Sequence, residues 1–367
     1  MVSSELRVPP APKRPCRHVR SAAAVVALSQ DVILEILSWL PAKSLYRSRC
    51  VSKEWRALIS SPSFLAAHRS RAEPLFIAMF DSIRGTKSLQ LMDTEGTVVR
   101  VVEGPDGVWT FRASLGDLVC FSSGYNSSGT LVVDLATGKT ILSCSESVVG
   151  VPMNYTCFGF GRAVQSGSLK VFRLVPRSGV EQMCEVLTLG DSAKWRQTQS
   201  PPMTVSLWYS RCNGVMANGA LHFLSWEDRD DVLSFDLDNE KWKVIHGPQG
   251  VVGDMEPIRI TELNGTLCMA HIVEPVINIW LLSDLDQSIW IKAYTMPRDP
   301  VFCYVVPLRV LRLGGHLLFY YYNSSELKLR VYDPHLGKCT DMTTPPNLLG
   351  KIGLCSSNLD PRFCGQP

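Results

Sequence analysis

The chain has 367 residues, 46% hydrophobic and 19% charged, which supplies a large core and excludes a disordered tail. Its net charge of +3 is uneven: residues 1–71 hold 12 Lys or Arg against 4 Asp or Glu, leaving 25 against 30 for the remainder. The basic front carries no Cys/His finger, RNA-stacking signature or long basic helix, so a solvated flexible tail is favoured over a nucleic-acid site.

In chain order, residues 1–21 are Pro-rich and aperiodic, as in a disordered leader. The run "KRPCRHVRSAAAVVAL" imitates a secretory signal, but its uninterrupted apolar part, Ala22 to Leu28, is far too short to span a membrane. Four N-x-S/T triplets, at Asn126, Asn154, Asn264 and Asn323, arise readily by chance. The 12 cysteines form no C-x-x-C pair and no zinc spacing, a usage that fits a reducing compartment. Together these features predict an intracellular protein of the cytoplasm or nucleus, with no membrane attachment.

Residues 22–68 predict three short helices. In the first, Ser29 is the N-cap and Gln30 and Asp31 occupy the first turn. Val32, Ile33, Ile36, Leu37 and Leu40 recur at helical spacing, which predicts one shared face, and Pro41 stops the helix. A second runs from about Lys43 to Cys50, and a third starts at Ser52 with Trp55, Leu58 and Ile59 inward. The following "SSPSF" reads as a stop and turn.

From Leu75 onward the pattern is all β. Short runs such as "LFIAMF", "TLVVDL", "LKVFRLV" and "ALHFLSW" are separated by Gly, Asn, Asp and Ser, and no amphipathic helix interrupts them. They repeat: Gly219, Gly265 and Gly315 are 46 and 50 residues apart, while Asp236, Asp284 and Asp333 are 48 and 49 apart. A period of about 40 to 50 residues with four short strands is the mark of a β-propeller. Six units fit residues 73–345: 73–112, 113–156, 157–205, 214–255, 260–300 and 310–345. Residues 346–367 are either a tail or a ring-closing strand. Trp195, Trp242 and Trp290 recur at the outer-strand position and predict packing between blades. Loops at 82–88, 122–129, 226–231 and 321–326 are candidate recognition elements, since binding residues concentrate on loops held by rigid strands.

No catalytic constellation emerges. "GYNSSG" is not a nucleophile elbow, and "GFGRAV" lacks the third glycine of a dinucleotide site; both read as turns. His222, His271 and His316 follow repeat glycines at unlike offsets, so convergence on copper or iron, as a metal-dependent oxidase requires, is disfavoured against ordinary buried histidines. The sequence predicts a protein that is not an enzyme and needs no cofactor or metal.

The helical stretch resembles the F-box. The residues that carry the likeness are Leu28, Asp31, Val32, Ile36, Leu37, Leu40, Pro41, Lys43, Ser44, Leu45, Arg49, Cys50, Val51, Ser52, Lys53, Trp55 and Arg56, with Ser29 standing where that family usually has Pro. The body resembles the kelch-like, F-box-associated propeller of plant F-box proteins, through "NGVMANGALHFLSWEDRDDVLSFDLDNEKWKVI" and the two neighbouring units. The resemblance implies a small all-α F-box of three short helices followed by an all-β propeller of about six blades. It also implies a substrate-recognition subunit of an SCF-type ubiquitin ligase, binding an SKP-type adaptor and through it a cullin, with an unknown protein target on the propeller. Leu28, Val32, Ile36, Leu37, Leu40, Pro41, Leu45, Val51 and Trp55 are the expected adaptor contacts, because so small a helical unit cannot cover them all. The alternatives are docking of these residues on the propeller itself, and an adaptor-binding role outside any cullin complex.

Overall fold

The computed structural model describes residues 28–355 apart from 41, 72–74, 82–86, 94–95, 104–108, 124–127, 147–155, 177–180, 191–193, 207–212, 229, 250–257, 301–303, 312–313, 323–326 and 343–347. The expected leader, Pro41, and much of the candidate loops 82–88, 122–129 and 321–326 therefore lie outside the described residues.

Among the described residues four helices come first: α1 (Gln30–Ser38), α2 (Ala42–Ser48), α3 (Lys53–Ile59) and α4 (Pro62–Arg71). Serine starts three of them. Val32 N–H donates to Ser29 Oγ (3.3 Å) and Trp55 N–H to Ser52 Oγ (3.1 Å). Phe64 N–H donates to Ser61 Oγ (3.2 Å). The run "SSPSF", expected as a turn, is thus the start of α4: Ser61 caps it, and Pro62 occupies the first helical position, where a missing N–H costs nothing.

Twenty-four strands follow among the described residues, in six four-stranded antiparallel sheets. Blade 1 combines Leu75–Asp81, Lys87–Met92 and Val98–Glu103 with the C-terminal strand Leu348–Cys355. Blades 2 to 6 occupy 109–146, 157–198, 215–245, 258–297 and 304–341 in sequence order. The unit expected at 73–112 is divided differently: Trp109 to Phe111 belong to the innermost strand of blade 2, and blade 1 takes its innermost strand from the far end of the chain.

Both faces of each blade are covered. In the strand Leu75–Asp81, Ile77 and Met79 point into a cluster with Phe111 and Phe121 of blade 2, while Phe76, Ala78 and Phe80 point into a cluster with Leu308, Leu318 and Tyr320 of blade 6. Alternate side chains thus serve opposite neighbours, which is why these strands read as continuous apolar runs. Four further clusters fill the remaining interfaces, from blades 2/3 to blades 5/6, so the ring is closed.

The repeat residues each have a visible task. Gly116, Gly219, Gly265 and Gly315 all have positive φ, at 59°, 80°, 91° and 63°. Asn218 and Asn264 precede two of them with φ of 47° and 52°, making the Asn-Gly turns that suit twisted hairpins. Their amides also stitch blades together: Leu267 N–H donates to Asn218 Oδ1 (2.6 Å), and Val310 N–H to Asn264 Oδ1 (3.2 Å). Asp134, Asp236, Asp284 and Asp333 each accept the N–H two residues on, at 2.7–2.8 Å, a local turn that ends the strand. Trp242 and Trp290 donate from Nε1 to the carbonyls of Gln199 and His246 in the preceding blade (2.9 and 2.8 Å).

"GFGRAV", expected as a turn, lies mostly within the innermost strand Cys157–Arg162 of blade 3. A Cβ on Gly159 would meet Leu221 at 2.7 Å, and one on Gly161 would meet Met216 at 2.6 Å. These glycines let the innermost strand of blade 3 approach the first two strands of blade 4 closely.

Candidate adaptor-binding surface

The helical unit has a core of its own. Leu37, Leu45, Ile59 and Phe64 are at most 4% exposed, and Ile33, Leu34, Leu40, Trp55, Leu58 and Leu65 pack around them. His68 Nε2 meets the Leu40 carbonyl at 2.9 Å and joins α4 to the end of α1. Burial lowers its pKa, partly offset by that bond.

The structure divides the expected contact residues by exposure. Leu37 and Leu45 fill the interior of the unit (1% and 0% exposed). Leu40 and Trp55 are half-buried against the same core. The single face expected for α1 is in fact two. At about 100° per residue, Ile33, Leu37 and Leu40 form the inner stripe. Leu28, Val32, Ile36 and Trp39 form a second stripe at 56%, 42%, 50% and 54% exposure. Val51, beyond α2, is exposed at 65%. Trp39 is missing from the expected set, although its spacing of three from Ile36 and seven from Val32 continues the stripe. Its Nε1 donates to Glu35 Oε1 (3.1 Å), which fixes the ring along the helix.

The three histidines considered as metal ligands have separate surroundings. His222 is fully buried in blade 4, its Nε2 meets the Ala217 carbonyl at 2.9 Å, and burial brings its pKa down to about 4. His271 is buried in the second strand of blade 5, and His316 in blade 6 lies 3.6 Å from Asp333. Among the described residues no group of three or more His, Cys, Asp or Glu is placed to hold a metal ion. The eight described cysteines are free thiols, and among the described residues no helix is long and apolar enough to cross a membrane.

These features define a two-module protein, in which a small helical unit with a full core and an uncovered apolar stripe precedes a six-bladed propeller. Residues 27–66 match the F-box domain family, and residues 153–334 match the F-box associated beta propeller domain family. Relatives from Arabidopsis thaliana include F-box protein At5g18160, 28% identical over 75% of this chain and 72% of its own length, and F-box protein CPR1, 25% identical over 77% of each. F-box protein At1g30790 is 28% identical over 71% of this chain and 73% of its own. The chain carries an F-box domain followed by an F-box associated beta propeller domain, and its relatives are plant F-box proteins.

Proposed function

We propose that this chain is the substrate-recognition subunit of an SCF-type ubiquitin ligase, in the cytoplasm or nucleus. The F-box holds an SKP-type adaptor and through it a cullin, and the propeller holds a protein target. F-box domains generally bind SKP adaptors in such complexes. The observation that carries the reading is the outer stripe of α1: Leu28, Val32, Ile36 and Trp39 stay in solvent although the unit's core is already filled. An apolar surface with no internal use fits a partner of matching shape. Val51, exposed at 65%, is a further contact in this reading, while Leu40 and Trp55 pack against the core. Ubiquitin transfer takes place on other subunits, and this chain contributes proximity.

The test is co-expression of the full chain with an SKP-type adaptor and a cullin. Capture of the chain brings down both, and Val32→Asp combined with Ile36→Asp abolishes both while the propeller stays folded. Recovery of the adaptor without a cullin favours a role outside the ligase. Failure to bind any adaptor overturns the reading.

A further inference from the structure

The innermost strands of blades 3 to 6 surround a cavity of about 730 Å³, mouth included, large enough for one aromatic ring. Strand direction fixes the face on which it lies. Val306 is near the start of the innermost strand of blade 6, Phe223 and Tyr320 are near the ends of the second strands of blades 4 and 6, and Asn213 comes just before the innermost strand of blade 4. Innermost strands thus begin at this face, and the second strands, antiparallel to them, end at it. The F-box joins at the opposite face: Leu75 starts the second strand of blade 1, and the four chain steps from Arg71 to Leu75 reach at most about 14 Å. The cavity is therefore on the face turned away from the F-box. The candidate loop 226–231, which follows the second strand of blade 4, leaves from the same face.

The wall is apolar along Val215, Phe223 and Val306, and among the described lining residues none is a carboxylate. Arg259, the one formal charge among them, is engaged within the fold, with its guanidinium 4.4 Å from the centre of the Tyr304 ring. Such a wall favours an uncharged guest. Asn213 adds a more specific demand. Its Nδ2 donates to the Arg112 carbonyl (3.1 Å), an oxygen that can only accept, and this fixes which way the amide is turned. Oδ1 is left buried with no hydrogen-bond partner among the described residues, a costly state that a donor entering the cavity relieves.

We propose that this cavity anchors the target protein through one uncharged aromatic side chain with a ring donor, Trp or Tyr. Its N–H or O–H meets Asn213 Oδ1, and its ring lies against Phe223 and Val306. Rigid aromatic anchors in a formed pocket lose little rotamer freedom and carry much of the binding at an interface. The assignment to a target rests on the receptor role proposed above; the pocket's preference for such a side chain does not.

The test uses the full chain and calorimetric titration with two pairs of capped tripeptides: Gly-Trp-Gly against its counterpart with 3-benzothienylalanine, and Gly-Tyr-Gly against Gly-Phe-Gly. At least one donor peptide binds at least about fivefold more tightly than its donor-less counterpart, the worth of roughly one hydrogen bond, and Asn213→Ala removes that preference. If Asn213→Ala does not fold, Thr261→Leu, which narrows the cavity from blade 5, weakens the preferred peptide by at least about fivefold. No binding at up to about 5 mM peptide, equal binding within both pairs, or indifference to the substitution overturns the proposal. Adaptor capture by the same variants is unchanged, because the F-box is on the other face. Peptide binding lost with adaptor capture intact sinks the pocket alone, and adaptor capture absent with peptide binding intact sinks the receptor reading alone.

Discussion

Ile36 and Leu37 are adjacent, similar in size and opposite in surroundings, at 50% and 1% exposed, which makes them a direct probe of the two-faced α1. Truncating Leu37 to Ala leaves a cavity against Ile59 and Phe64 and costs about 2–5 kcal/mol, a large part of what holds so small a unit folded. Truncating Ile36 changes the free chain by about 0.5 kcal/mol or less. Against a partner it forgoes the half of its transfer energy not yet gained, about 1 kcal/mol or roughly fivefold in Kd. Hydrogen exchange of peptides spanning α1 to α4, together with titration of an SKP-type adaptor, separates the two. Leu37→Ala raises exchange by about 30-fold or more across all four helices, whereas Ile36→Ala leaves exchange within about threefold and weakens the adaptor. Equal loss of protection in both variants, or an unchanged adaptor affinity in Ile36→Ala, would refute the division of α1 into an inner and an outer stripe.

Three further outcomes follow from local geometry. Ser29→Ala loses the cap on Val32 and costs about 1 kcal/mol of α1 protection; Ser29→Pro loses the same cap and costs no more than Ser29→Ala, because φ at 29 is −60°, the angle proline imposes. Asn264→Gly keeps the turn but loses both bonds to Val310 (3.2 and 3.3 Å), lowering stability in urea by about 1 kcal/mol; Asn264→Ala costs about 1 kcal/mol more because φ is 52° there. Burial raises the Glu240 pKa, but hydrogen bonds and charge from Arg196 and Lys170 outweigh it and bring the carboxyl down to about 2. A depressed folded-state value gives stability that is complete above about 4.5, the unfolded value, and is lost as pH falls through about 2. Acid titration of unfolding is therefore less steep in that window for Glu240→Gln, and an unchanged slope would count against this link between blades 3 and 4.

The propeller was more legible than the surface of the F-box. Its repeat is written in positions with strict backbone or hydrogen-bonding demands: positive φ at Gly219 and Gly265, and a turn carboxylate at Asp236 and Asp284. Such demands leave a regular spacing in the sequence. Ile36 and Leu37, by contrast, have the same hydropathy, and only packing of α1 against α4 decides which one is covered. The start of α4 was misread because Ser-Pro serves both turns and helix starts, and the register of Phe64 against the core selects the second. Gly159 and Gly161 were misread for a similar reason: what requires glycine there is the nearness of Leu221 and Met216, residues more than 50 positions away.

The pairing of Leu348–Cys355 with Leu75–Asp81 has a consequence for how the molecule is made. Blade 1 emerges early from the ribosome, yet its innermost strand is translated after every other blade. Until then Phe76, Ala78 and Phe80, which end up sealed against blade 6, have nothing to rest on, and one edge of their sheet is open to stray strands. That edge stays open to wrong pairing until Leu348–Cys355 is in place, and a chain cut before Leu348 lacks the strand that closes the ring.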